Sequence, residues 1–274
     1  MTSYYNEHDP YAAQWLRNLM DAGLIAAGHV DERSIEDVTA NDLRGYAQCH
    51  FFAGIGVWSY ALRQAGWSDD RPIWTGSCPC QSFSAAGKRK GFADERHLWP
   101  AWFYLIEQCR PELLIGEQVE AAVRHGWLGL VQDDLEGIGY TVGGAVLPAC
   151  GVGAPHIRHR LMFVGMADHE SNGRREQCTD AIWSNERSRS QELGQRFGGG
   201  GILVGDRSAS PTNGFWRDAD WLLCRDAKWR PVEPGTFPLA HGITARVPKL
   251  RALGNALVAP VAQAFIAAVM EFRK

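Results

Sequence analysis

A distance along the chain limits the fold most. The apolar run Cys49-His50-Phe51-Phe52-Ala53 ends in Gly54-Ile55-Gly56, a second apolar stretch ends in Trp74-Thr75-Gly76, and the turn Pro79-Cys80-Gln81 follows it, so that 30 residues run from Phe51 to Cys80. One strand, one connecting helix and one parallel strand fill roughly 30 residues. No further strand fits in between. The first segment reads as a strand, a glycine turn and a helix from Val57 to about Ala65, the arrangement that lets backbone approach a nucleotide-like ligand at a helix N-terminus. The second puts a thiol on a rigid turn at a strand's carboxyl end. Pro79 fixes the backbone ahead of Cys80, and Gly76, Ser77 and Ser82 allow a tight turn. Open α/β sheets keep their chemistry at that edge. By itself, a cysteine is more often a small buried hydrophobe than a nucleophile.

The rest of the chain continues the alternation. At the N-terminus a short apolar-aromatic stretch leads into Asn6-Glu7-His8-Asp9-Pro10 and then Tyr11, Ala12, Trp15, Leu16, Leu19 and Met20 at helical spacing. This predicts a strand, an acidic loop and a helix capped by Asp9 with Pro10 in its first turn. Residues 27–35 read as a polar turn region. Leu98, Trp102, Leu105 and Ile106 mark a helix, and Pro111-Glu-Leu-Leu-Ile-Gly116 a short buried parallel strand with Glu117 at its carboxyl end. A further helix is expected around 127–137, with strands over 140–149 and 160–166. Residues 168–214, rich in Arg, Glu, Ser, Asn and Gly, read as a loop-rich insertion. A hairpin turning at Asp226-Ala227-Lys228 and a last helix carrying Leu257, Val261, Phe265 and Val269 follow.

Composition narrows the class. The 274 residues suffice for one full core and a smaller appended region. No run reaches the length of a membrane span and Met1-Thr-Ser-Tyr-Tyr-Asn-Glu7 lacks the features of a signal peptide, so a cytoplasmic protein is expected. Seven cysteines without a Cys-x-x-Cys pair point to reduced thiols. The net charge of −3 leaves nucleic-acid binding to local clusters of Arg and Lys. His156 and His159 lack further ligands at metal spacing, so no metal is expected.

Phe52-Ala-Gly-Ile-Gly56, Pro79-Cys80-Gln81, Gly116-Glu117-Gln118-Val119, His156-Ile-Arg158-His-Arg160 and Gly254-Asn255-Ala256-Leu-Val258 occur in that order. Together they resemble the ordered motifs of the DNA cytosine-5 methyltransferases, over about two thirds of the chain. The resemblance implies a class I methyltransferase (Rossmann-like) α/β sheet with helices on both faces. It also implies S-adenosyl-L-methionine as cofactor, with S-adenosyl-L-homocysteine as product, and double-stranded DNA as partner of a monomer, in the manner of a restriction-modification enzyme. In that family the thiol, here Cys80, adds to C6 of a flipped cytosine, since C5 is a poor nucleophile until the ring's aromaticity is broken. By the same resemblance Glu117 bonds the N3 and N4 edge, Arg160 meets O2 and Arg158 supports the catalytic loop. Phe52, Gly54, Ile55, Gly56, Pro79, Leu98, Asn255 and Ala256 would surround the cofactor. On a strand, Arg158 and Arg160 would share one face.

This chain departs from the family at Gln118, where asparagine is usual, at His156, where glutamine is usual, and most of all in order. The acidic cofactor segments that normally lie between the glycine turn and Pro-Cys-Gln have no room, because only 22 residues separate Gly56 from Pro79. Glu7-His8 resembles the ribose-binding segment and Gly28-His-Val-Asp31 the adenine-binding one. The expectation is a local rearrangement in which the second and third strand units precede the first. The competing expectation is an unrelated helical cap over residues 1–45. Residues 1–167 then form the first part of the catalytic domain, 168–247 a small target-recognition region with Arg174, Arg175, Arg187, Arg189, Arg196, Arg207 and Lys228 for phosphates or guanine edges, and 248–274 a helix returning to the catalytic domain. RNA, as in tRNA cytosine methylation, and a catalytically silent DNA-binding regulator are the alternatives.

Overall fold

The computed structural model describes residues 3–79, 98–154, 156–168, 220–223, 229–232 and 254–272. Cys80, the loop after it and nearly all of the expected recognition region lie outside them. The chain divides into a unit of residues 1–168 and 211–274 and a second of residues 169–210; all described residues belong to the first.

Strand β1 (Ser3–Asn6) leads through helix α1 (Pro10–Asp21) to β2 (Gly28–Asp31), and β3 (Gln48–Phe51) through α2 (Val57–Gln64) to β4 (Ile73–Gly76). After α3 (Trp99–Cys109) come β5 (Leu113–Val119), the short α4 (Ala121–Arg124), α5 (Trp127–Gly137), β6 (Tyr140–Pro148) and β7 (His159–Ala167). A hairpin of β8 (Asp220–Leu223) and β9 (Trp229–Val232) and helix α6 (Ala259–Phe272) complete the described elements.

The first seven strands form one sheet in the order β2-β1-β3-β4-β5-β7-β6, parallel from β2 to β5 and antiparallel where β7 meets β5 and β6. The strand bearing the glycine turn, β3, lies between β1 and β4, and the two strands that precede it in sequence lie outward of it. This is the expected rearrangement, and it replaces the helical cap. The stretch read as a polar turn over 27–35 is therefore partly β2: Val30 and Asp31 are buried at the sheet edge, and parallel pairing with β1 supplies the hydrogen bonds that the sequence pattern did not reveal.

Alternation along the strands decides the two faces. Ile73, Leu113, Ile115 and Met162 pack with Trp58, Ala61 and Leu62 of α2 and Ala262 and Ile266 of α6, while Tyr5 packs with Ala13 and Leu16 of α1. Tyr4, Phe51, Trp74, Leu114 and Phe163 face Trp99, Trp102, Trp127 and Val131 of α3 and α5. Indoles come close because glycine leaves room: a Cβ on Gly76 would lie 2.5 Å from the Trp102 ring. Asp9 caps α1 as expected, its carboxylate accepting from the Tyr11 and Ala12 N–H groups. The last helix starts at Ala259, two residues after Leu257, which is buried ahead of it. Among the described residues no helix is long and apolar enough to cross a membrane.

Candidate active site

The parallel register aligns the carboxyl ends of the strands. Asn6 pairs with Asp31 and with Phe51, Phe51 with Gly76, and Gly76 with Gly116. The segments following these residues therefore share one edge, which is where an open sheet presents a ligand crevice. A cavity of about 390 Å³ opens at the opposite edge, lined among others by Ala47, Pro72 and Leu113 at the amino ends of β3, β4 and β5, so it is not this crevice.

At the glycine turn, Phe52 adopts φ 51, and Gly54 and Gly56 have φ 55 and 79. The left-handed conformation is free for glycine but costs an ordinary side chain ~1–2 kcal/mol, so the turn holds Phe52 strained at the mouth of the crevice. A backbone bond from Ala53 N–H to the Asn6 carbonyl ties the turn to β1. Gly56 precedes α2 without a side-chain cap, and nothing lies near the position of a Cβ on Gly54. This open, amide-rich cradle at a helix N-terminus fits a nucleotide-like ligand. Ile55 is half-buried beside it.

Glu7, directly after β1, joins the cradle. Its Oε2 accepts from Gly54 N–H at 2.7 Å and its Oε1 from Asp9 N–H at 2.9 Å. Burial raises its proton affinity above the ordinary carboxylate range, and these two hydrogen bonds offset part of that. The rearrangement thus brings an acid separated from Gly54 by 47 positions to hydrogen-bonding distance of the turn. His8 is exposed and meets the Glu32 carbonyl. Asp31 ends β2 and is already engaged: its carboxylate accepts from the Arg33 backbone and guanidinium and from the Tyr4 hydroxyl at 2.8 Å. Burial pushes the Asp31 carboxyl up, but the bonds from Arg33 and Tyr4 outweigh it and hold the group at about 2. Any adenine amino group at Asp31 has to share it with Arg33. Sequence reasoning passed over Arg33 and Asn6; the latter donates to the Arg33 carbonyl and fixes the end of β2.

Glu117 lies in β5 and not at its end, which is Val119, because antiparallel pairing with β7 prolongs the strand. It faces Met162 directly, so Arg160 is its diagonal neighbour on the same face. Arg160 Nε approaches Glu117 Oε1 at 2.7 Å, with only 19% and 10% of the two side chains exposed. Burial raises the Glu117 proton affinity; the Arg160 charge, a hydrogen bond from Ser77 and the Arg158 charge pull it partly back. Gln118, on the opposite face, donates to the Cys78 carbonyl at 3.2 Å and so holds the segment just before Pro79 and Cys80. Pro79 is the last described residue there, half-buried.

The expectation that Arg158 and Arg160 share a strand face is corrected. β7 begins at His159, and Arg158 precedes it with φ 25. Its Nη2 instead donates to the Gly254 and Ala256 carbonyls at 2.9 and 2.7 Å, which pins the segment ahead of α6. Asn255 is exposed there and Ala256 half-buried. Leu98 is half-buried directly ahead of α3, packed against the core cluster that holds Trp99 and Trp102. His156 is exposed, and His159 meets Glu120 at 3.2 Å. No group of three metal-ligating side chains occurs among the described residues.

The sheet order, with one antiparallel strand inserted beside β5, and the crevice over the glycine turn define an α/β domain of the class I methyltransferase type. Residues 68–197 match the family model of the C-5 cytosine-specific DNA methylases. The chain is 35% identical over 106 residues to the type II methyltransferase M.HaeII of Haemophilus aegyptius, covering 36% of this chain and 32% of that protein. It is 23% identical over 185 residues to M.DsaV of Dactylococcopsis salina, covering 56% and 53%. Among solved structures, a DNMT2 from Spodoptera frugiperda aligns over 63% of this chain and 45% of its own, at 16% identity and a TM-score of 0.42. In this stretch the chain is similar to the DNA cytosine-5 methyltransferases. It spans about a fifth to a half of the length of the curated relatives it matches.

Proposed function

We propose that the protein methylates C5 of cytosine in DNA, with the target base flipped out of the duplex and held covalently by Cys80. The observation that carries this reading is the buried Glu117–Arg160 pair at 2.7 Å, which joins β7 to β5, the neighbour of the strand that delivers Pro79 to the same edge. A cytosine edge offers a ring nitrogen and an amino group to a carboxylic acid and a carbonyl to a guanidinium. Glu117 and Arg160, already paired and nearly dry, need little reorganisation to meet both. The Cys80 thiolate adds to C6, and the developing negative charge is met by proton donation from Glu117 toward N3. After transfer, loss of the C5 proton to a base reverses the addition and frees the thiol.

S-adenosylmethionine would supply the electrophilic methyl group. Phe52, Gly54, Ile55 and Gly56 would hold it, Glu7 would offer acceptor lone pairs to its ribose diol and Asp31 an acceptor to its adenine, and Pro79, Leu98, Asn255 and Ala256 would close the remaining sides. Residues 168–247 would read the DNA sequence. RNA as substrate is the second reading, and the experiment separates the two. The full chain, incubated with cofactor labelled in the methyl group, is offered duplex DNA or tRNA, and 5-fluorocytosine DNA is used to trap the thiol. Label in DNA and a trapped adduct lost in Cys80→Ala are expected. Label in RNA alone, or no adduct, refutes the proposal.

A further inference from the structure

Trp58, in the first turn of α2, is buried and its indole N–H donates to Ser77 Oγ at 3.0 Å. Ser77 follows Gly76, the last residue of β4, and because Gly76 pairs with Gly116 the next residues along the two parallel strands are Ser77 and Glu117. Gly76 turns its missing side chain toward Trp102 on the α3 face. Alternation therefore turns Ser77 toward α2, the face on which Glu117 lies opposite Met162 and on which Met162 packs with Trp58. An indole N–H can only donate, whereas a hydroxyl has one hydrogen and two lone pairs. With Trp58 occupying a lone pair, the Ser77 hydrogen is left for an acceptor, and the Glu117 carboxylate is the neighbouring acceptor on the same sheet face.

We propose that Ser77 is a positioning residue for Glu117, aimed by Trp58, so that one polar chain runs from the helix behind the glycine turn through Ser77 to Glu117 and Arg160. Its functional meaning rests on the proposed cytosine chemistry: Ser77 fixes which way the carboxyl faces the pyrimidine edge, and it limits how far Glu117 holds its proton. Among the described residues, the charged groups that act on this carboxyl are Arg160 and Arg158, both from the β7 side. The Ser77 contact comes from the opposite neighbour strand, so it can be removed without touching either arginine. It also links the carboxyl to α2, whose first turn follows the cradle directly, so that a ligand displacing the turn would move Trp58 and with it the hydroxyl.

The test is a titration of the substrate-free full chain labelled with ¹³C in its glutamate carboxyls, the Glu117 signal being assigned by its loss in Glu117→Gln. A hydrogen bond donated to a carboxylate favours its charged form, so Ser77→Ala is expected to raise the Glu117 midpoint by about one unit. Ser77→Thr, which keeps the hydroxyl, is expected to restore it. Trp58→Phe is expected to move it in the same direction by less, and to add nothing in the Ser77→Ala background. If Ser77→Ala does not fold, Ser77→Gly serves. An unmoved midpoint, or a Trp58→Phe shift undiminished without the hydroxyl, overturns the chain. Methyl transfer by the unsubstituted protein is measured alongside. Its absence on DNA overturns the proposed function and leaves the titration to judge the chain alone.

Discussion

Replacing Arg160 by Met keeps most of the side chain's bulk and leaves the Glu117 carboxyl, 10% exposed, without its charged partner. Removing one member of a buried ion pair costs about 3–5 kcal/mol when the other must stay ionised. Glu117 escapes that cost by taking a proton, so the loss must depend on pH. The sign is fixed by which state binds more protons. The native carboxyl, already raised by burial, rises further in Arg160→Met, and between the unfolded value of about 4.3 and the new native value the folded state holds the extra proton. Stability therefore falls as pH rises, by about 1.4 kcal/mol per unit for one proton. Measured against the unsubstituted protein, the loss is expected to be small below the raised native Glu117 midpoint of that protein and to approach the full ~3–5 kcal/mol roughly two to four pH units above it. Urea unfolding of both proteins and of Arg160→Met/Glu117→Gln, from pH 5 to 8.5, measures it. The double variant, with no carboxyl to ionise, is expected to flatten the pH dependence. A loss in Arg160→Met that is constant with pH, or one that survives Glu117→Gln, would refute the account of the pair.

Glu7→Gln keeps one acceptor oxygen but turns an amide N–H toward either Gly54 N–H or Asp9 N–H, both of which now donate to the carboxylate. Hydrogen bonds to a charged group contribute about 1.5–3 kcal/mol, so S-adenosylhomocysteine affinity by calorimetry is expected to fall about 10- to 100-fold; unchanged affinity would place the ribose elsewhere. Arg158→Ala frees the carbonyls of Gly254 and Ala256, and hydrogen exchange over 254–258 is expected to rise about 10-fold. Unchanged exchange there would show that Arg158 does not hold the segment. Gly116→Ala puts a Cβ 2.0 Å from the Phe163 ring; overpacking of this kind costs about 1–3 kcal/mol, seen as a lowered Tm that Phe163→Leu partly recovers. No drop in Tm would mean that the ring moves aside freely.

The elements with a strong local signal were legible. Helix α1 begins at the Asp9 cap and Pro10, α2 follows its glycine turn, and α5 spans the range read from its periodicity. Strand β2 was not legible as a strand, since Gly28-His29-Val30-Asp31 carries too few apolar residues and acquires its hydrogen bonds only by lying beside β1. The extension of β5 past Glu117 and the start of β7 after Arg158 escaped for the same reason: pairing across the sheet, not the local sequence, sets where each ends. In the site, the motif residues were found one by one, but their partners were not. Arg33 on Asp31, Ser77 by Glu117 and Arg158 on the carbonyls before α6 belong to no local pattern.

By itself the sequence determined the order of its candidate residues, Cys80, Glu117 and Arg160, and a length argument. Residue types that can only serve a thiol, an acid and a guanidinium in that order are local facts, and with 22 residues between Gly56 and Pro79 no strand can be hidden there. That forced the choice between a rearranged sheet and a missing cofactor segment. Only the tertiary structure chose between them, by seating β1 and β2 outside β3 and bringing Glu7 within 2.7 Å of Gly54. The reason is physical. A parallel sheet aligns strand ends whatever the order in which the chain visits them, since hydrogen bonds between neighbouring strands do not depend on how the strands are connected. Chain order fixes which residues exist, and pairing fixes which of them meet.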